Sequence, residues 1–143
     1  MAITTAMCTS FKSELLGGTH DLDTHSIKLA LIKATPTGTY GTATTNYSDV
    51  TGNSDEATGT GYAAGGQVLD SVTISTDGTT AIVDIADEVF TSSTISADGC
   101  IIYNASASNA AIAVIDFGGT QTSTNGDYTI QFPAADASNA IIR

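Results

Sequence analysis

Tryptophan is absent from this 143-residue chain, and it has only two prolines, two cysteines and four basic residues. Each shortage excludes something. Nucleic-acid affinity rests largely on Lys and Arg displacing counterions from phosphates. Lys12, Lys28, Lys33 and Arg143 stand against fifteen acidic residues, for a net charge of -11. No basic patch can be assembled from them, so DNA, RNA and anionic lipid are expected to repel the chain. Cys8 and Cys100 lie far apart, outside any CxxC and without histidines at ligand spacing, which indicates neither a zinc site nor a disulfide framework. Apolar runs are short throughout, with none approaching the 18 residues or so of a membrane span. The opening MAITTAMCTSFKSELL lacks a basic region followed by a continuous apolar stretch, so no export signal is expected and the protein is read as made in a cytoplasm and soluble.

What is abundant is hydroxyl and apolar side chains. Ser and Thr make up about a quarter of the chain, a composition suited to surfaces that live outside cells. Hydrophobic residues at 41% and charged residues at 13% place the chain well away from disordered sequences. Its length is that of a single domain, 1–143, able to bury a real core.

The apolar residues repeat with a period of two. SIKLALIKA sets Ile27, Leu29 and Leu31 on one face with Lys28 opposite, and QVLDSVTIS alternates Val68, Val72 and Ile74 against Leu69, Ser71 and Thr73. Asp77-Gly78 between that run and TTAIVDIA signals a tight hairpin. GCIIYN and AIAVIDFG read as a second hairpin across ASASNA, and DYTIQF and SNAIIR as later strands. Some seven strands at this spacing predict an all-β fold, an antiparallel β-sandwich, with one short N-terminal helix over about 9–17. Thr9 or Ser10 is the expected N-cap of that helix and Gly17-Gly18 its stop. The expected core holds Ile27, Leu29, Leu31, Val72, Ile74, Val83, Ile85, Ile102, Val114, Ile115 and Phe132. Residues 35–66, rich in Thr and Gly, form a long loop with short edge strands near Tyr40 and Tyr47.

Within that loop EATGTGYAAGG resembles a phosphate-binding turn, but Gln67 stands where a P-loop has lysine, and the glycine spacing is not that of the dinucleotide fingerprint. The glycines are therefore expected to supply positive-φ turns, with Tyr62 packing nearby. His20 and His25 with Asp21 and Asp23 could bind a metal, and Asp84, Asp87 and Glu88 could hold calcium, yet neither set has a metal-site pattern. No serine occupies a nucleophile elbow. The expectation is a non-enzymatic protein with no catalytic residues, no cofactor and no metal. For the stretch through Leu16, carrying Ile3, Met7, Phe11 and Leu15, two placements stay open: packing on a partner, whether a neighbouring subunit or a different protein, or capping one end of its own sandwich.

SFKSELLGGTHDL, EATGTGYAAGG, GCIIYNAS and AVIDFGGTQTSTNGDYTIQFPAADASNAIIR, in that order across nearly the whole chain, resemble small virion structural proteins of tailed bacteriophages, in particular those infecting aquatic bacteria. GTGYAAGG and FPAADASNAIIR carry the resemblance most specifically, and LIKATPTGTYG departs from it. The resemblance implies a non-enzymatic all-β particle component. The chain is thus expected in the virion as a head decoration or cement protein, a homo-oligomer partnered by the major capsid protein or other virion proteins, with no nucleic acid and no membrane. The alternatives are a tail, neck or fibre component and a carbohydrate-binding, adhesin-like module. The scarcity of aromatics, 6% with no Trp, counts against the last.

Overall fold

A computed structural model describes residues 2–143 and shows an all-β antiparallel sandwich. The strands are β1 (Ala6–Met7), β2 (Ile27–Lys33), β3 (Gln67–Val68), β4 (Thr73–Asp77), β5 (Thr80–Asp84), β6 (Glu88–Ser93), β7 (Ser96–Asn104), β8 (Ala110–Thr122) and β9 (Gly126–Ile130). Two helices accompany them, α1 (Thr9–Leu16) and α2 (Ser48–Gly52). One sheet runs β1-β8-β7-β2-β3, and β4–β5 and β6–β9 form two-stranded ribbons. The ribbons give Val83, Ile85, Phe90, Tyr128 and Ile130 to the same buried cluster as the sheet, and that shared core makes the sandwich. No helix among the described residues is long and apolar enough to cross a membrane.

The centre of the sheet is the most deeply buried part. Leu29 pairs with Ile102 and Ala30 with Ile101, and Leu29, Ala30, Leu31 and Ile32 are all fully buried. Alternation assigned one face of this strand to the core. Both faces are covered, which is why the run from Leu29 to Ile32 is continuously apolar. Both predicted hairpins form: β4–β5 turns at Gly78 (φ 59°), and β7–β8 turns across residues 105–109.

Other expectations need correction. QVLDSVTIS is not one strand but two, broken where Ser71 adopts φ 52°. Ile74, expected in the core, is 47% exposed on β4, whose five residues are all exposed. Val72, Ile115 and Phe132 are only partly buried, at the margin of the cluster. SNAIIR forms no strand; instead Ile142 is buried and its carbonyl accepts a bond from the Val83 amide at 3.1 Å. The seventh long strand is β6, which its mixed sequence EVFTSS concealed. The cap position of α1 is Cys8, with no side-chain cap bond, rather than Thr9 or Ser10. The long loop contains α2 and isolated bridges from Tyr40 to Ile3 and from Asn46 to Ala110.

Candidate functional site

The N-terminal segment packs on its own chain. β1 pairs with the edge of β8, and the buried Phe11 of α1 meets the His20 ring edge-on at 4.9 Å. One turn of helix separates Phe11 from Leu15, so burying the first leaves the second at the margin and Leu16 beyond it. Leu15 is 42% exposed and Leu16 91% exposed. These two leucines border a groove of about 700 Å³ between α1 and the β4–β5 hairpin. Ile74, Ile82, Val83 and Ile142 line it too, while Lys12, Asp21 and Arg143 are its charged members. Among the described residues, four large apolar side chains are exposed: Leu15, Leu16, Val68 and Ile74. Three of the four converge on this groove, so the exposed apolar surface is concentrated rather than scattered.

The residues singled out for metal chemistry have other work. His20 and His25 are brought together, but by Asn104, whose amide nitrogen lies 3.0 Å from His20 Nδ1 and 2.9 Å from His25 Nδ1. The Asp21 amide also donates to His25 Nδ1. Both Nδ1 atoms are therefore acceptors, which puts the His20 proton on Nε2, 2.8 Å from Glu14 Oε2. Asp21 instead accepts from Thr24 and from the Asp23 amide, closing the turn before β2; those bonds hold its carboxyl below the usual range. Asp87 receives the Phe132 amide at 2.8 Å. Asp84 is exposed, whereas Glu88 is buried, and burial together with the charge of Asp70 raises its pKa. Among the described residues no three His, Cys, Asp or Glu side chains are grouped to share an ion. Both cysteines are buried free thiols; burial pushes Cys8 up to about 12 and Cys100 further still.

Two adjacent carboxylates that sequence reasoning passed over organise the long loop. Glu56 accepts from Tyr47 Oη at 2.5 Å, Tyr62 Oη at 2.7 Å and the Gly65 amide at 2.6 Å. Tyr62 in turn receives the Leu31 amide at 3.0 Å, Tyr103 donates to the Gly65 carbonyl at 2.7 Å, and Tyr47 stacks on Tyr103 with centroids 4.5 Å apart. This is what EATGTGYAAGG does: it clamps the loop onto β2 and β7. Gly66, at φ 69°, passes so close to the Leu29 carbonyl that any Cβ there would collide with it. Asp55, fully buried, accepts from Tyr40 Oη at 2.6 Å, the Gly38 amide at 2.7 Å, the Thr37 amide at 2.9 Å and Lys33 Nζ at 3.0 Å.

All nine aromatic side chains are buried or half-buried. Phe117, half-buried, and Tyr128 line a second open groove of about 630 Å³ together with Asp116 and Asp127. The groove between α1 and the β4–β5 hairpin is the more apolar of the two, and it suits an apolar partner surface rather than a small polar substrate. Compared with protein families, with curated proteins and with solved structures, the chain gives no match.

Proposed function

We propose that this chain is a non-enzymatic structural protein of a bacteriophage virion, a decoration or cement protein that attaches to the head through the α1/β4–β5 groove. The observation that carries the reading is the gathering of Leu15, Leu16 and Ile74 around one groove on a chain whose remaining surface is acidic and hydroxyl-rich. Complete covering of Leu16, which is 91% exposed, contributes about 1.5–3 kcal/mol, and Leu15 and Ile74, already more than half buried, contribute about half as much each. The net charge of -11 supports an outer position, away from a genome that would repel it. The resemblance of GTGYAAGG and FPAADASNAIIR to phage virion proteins gives the reading its class.

Attachment by apolar contact has a particular salt response. Screening shortens electrostatic reach to about 8 Å at 0.15 M, and further salt relieves repulsion between acidic partners while leaving apolar contacts intact. Occupancy on purified particles is expected to hold or rise along a salt series. Leu16→Glu is expected to lose occupancy without loss of fold, because Leu16 is almost wholly exposed in the free protein. Full occupancy of that variant, or progressive stripping of the wild type by salt from intact particles, would refute attachment through this groove. The number of copies per particle relative to the shell protein separates a head location from a tail, neck or fibre one.

A further inference from the structure

β4 is an open sheet edge. Thr73–Asp77 pair with β5 in unbroken register and make no other backbone hydrogen bond among the described residues. The connecting loop, Gly78-Thr79, has two residues, so Asp77 and Thr80 close the hairpin as a hydrogen-bonded pair. Bonding alternates from that pair. Thr73, Ser75 and Asp77 therefore turn their backbone groups toward β5, while Ile74 and Thr76 turn theirs outward.

Sheet edges are normally blunted by proline, lysine, a bulge or very short strands. The five-stranded sheet follows this rule, ending in β1 and β3 of two residues each. β4 does not: it is five exposed residues, TISTD, with no proline, lysine or register shift. A strand left in that state is a template for another strand.

We propose that this edge pairs antiparallel with β4 of a second copy of the chain, about a two-fold axis through Ser75. Three things select a second copy. An antiparallel two-fold is the symmetry by which one edge satisfies itself. The register centred on Ser75 overlaps all five residues and sets the outward-facing Ile74 of each copy against the outward-facing Thr76 of the other, so every outward amide and carbonyl of β4 finds a partner. The same register sets the only charge of the strand, Asp77, opposite Thr73, so no like charges face each other; Ile74 against Thr76 is a favourable cross-strand pair. The opposition to pairing is long-range, from the -11 charge on each copy, and salt screens it. This inference goes beyond the virion reading and stands or falls apart from it.

Disulfide trapping reads the register directly. Ser75 would meet Ser75 of the other copy as a non-hydrogen-bonded pair, with Cα atoms about 4.5 Å apart, inside the range a disulfide spans. The native thiols are buried and do not compete. Under mild oxidation in 0.15 M salt, Ser75→Cys is expected to form covalent dimers at least about tenfold faster than Thr73→Cys, which would face Asp77. Thr76→Pro removes an outward N–H while sparing the bonds to β5, and is expected to shift the wild-type dimer to monomer in sedimentation velocity with an unchanged circular dichroism spectrum. If that variant unfolds, Ile74→Lys takes its place, with the same shift expected. A wild-type chain that sediments as a monomer at high concentration and salt overturns the proposal. So does a dimer that Ser75→Cys traps no faster than Thr73→Cys, or one that persists in both edge variants.

Discussion

Asp55→Ala is expected to destabilise the fold by about 3 kcal/mol or more, because several buried donors lose their acceptor at once. The loss has a definite origin. The carboxylate is fully buried and receives Tyr40 Oη, the Gly38 amide, the Thr37 amide and Lys33 Nζ. Lys33, whose side chain is 35% exposed, can turn to water when its partner goes. Tyr40 is 1% exposed and cannot. The cost therefore falls on buried donors left without an acceptor, at about 1–3 kcal/mol for each, not strictly additive. Asp55→Asn preserves shape but offers one acceptor oxygen and an unwanted pair of donors, so it should recover only part of the loss. Thermal unfolding at neutral pH checks both variants, and a midpoint lowered by about 10 °C or more in Asp55→Ala is the expected reading.

The same carboxylate contributes to the acid sensitivity of the fold. Burial opposes its ionisation, but the bonds from Thr37, Tyr40, Gly38 and Lys33 outweigh that and hold its pKa far below the ordinary 3.8. A group whose pKa is depressed on folding contributes stability that is complete above its unfolded value and fades as pH falls toward its folded one. Wild-type stability is therefore expected to decline below about pH 4, and the decline to be shallower in Asp55→Asn, which has no proton to take up at that site. Equal slopes for the two proteins from pH 4 downward would remove Asp55 from this role. Tyr40 moves oppositely: burial first, then its bond to Asp55, push its phenol up to about 12, so the pair keeps its protonation across the neutral range.

How much of this was legible in the sequence depends on how local its cause is. The hairpin at Asp77-Gly78 and the stop of α1 at Gly17 were legible because a turn is specified by the residues that make it. The strand character of Ile27–Lys33 was equally plain, although its burial on both faces depends on what other segments lay over it. Ile74 was misplaced because alternation was extended through Ser71, where the chain breaks, and the residues beyond the break lost the face assigned to them. Asp55 and Glu56 gave no signal, since their donors lie as much as 22 residues before and 9 residues after them. An acidic pair in a Thr- and Gly-rich run looks like solvent-facing loop until the fold brings Tyr40, Tyr47 and Tyr62 onto it. The groove was half legible: Leu15 stood out beside Phe11, but the β4–β5 wall facing it is a product of tertiary structure.

Leu29→Asp is expected to abolish the fold altogether. Leu29 is fully buried in β2, paired with Ile102 of β7 on one side and Gln67 of β3 on the other, and the Gly66 backbone lies against its carbonyl. Truncating a leucine at such a site costs about 2–5 kcal/mol in lost contacts and cavity. Asp adds a carboxyl to a place that offers no basic side chain: Lys28 and Lys33 are only partly buried and lie at the rim of the strand, and Lys33 is already held by Asp55. Burying a polar group without a partner costs several kcal/mol more, whether it stays ionised or takes up a proton. Together these reach about 4–12 kcal/mol, comparable to the 5–15 kcal/mol by which a domain of this kind is stable. The strand cannot escape by slipping one residue, because that would exchange Leu29 for Lys28 or Ala30 and carry every other side chain of β2 to the opposite face. Circular dichroism should lose its β signature and thermal unfolding its cooperative transition. Leu29→Met, close in volume, should cost less than about 1.5 kcal/mol, so a folded, cooperative Leu29→Asp protein would mean that the centre of the sheet is not where the fold is decided.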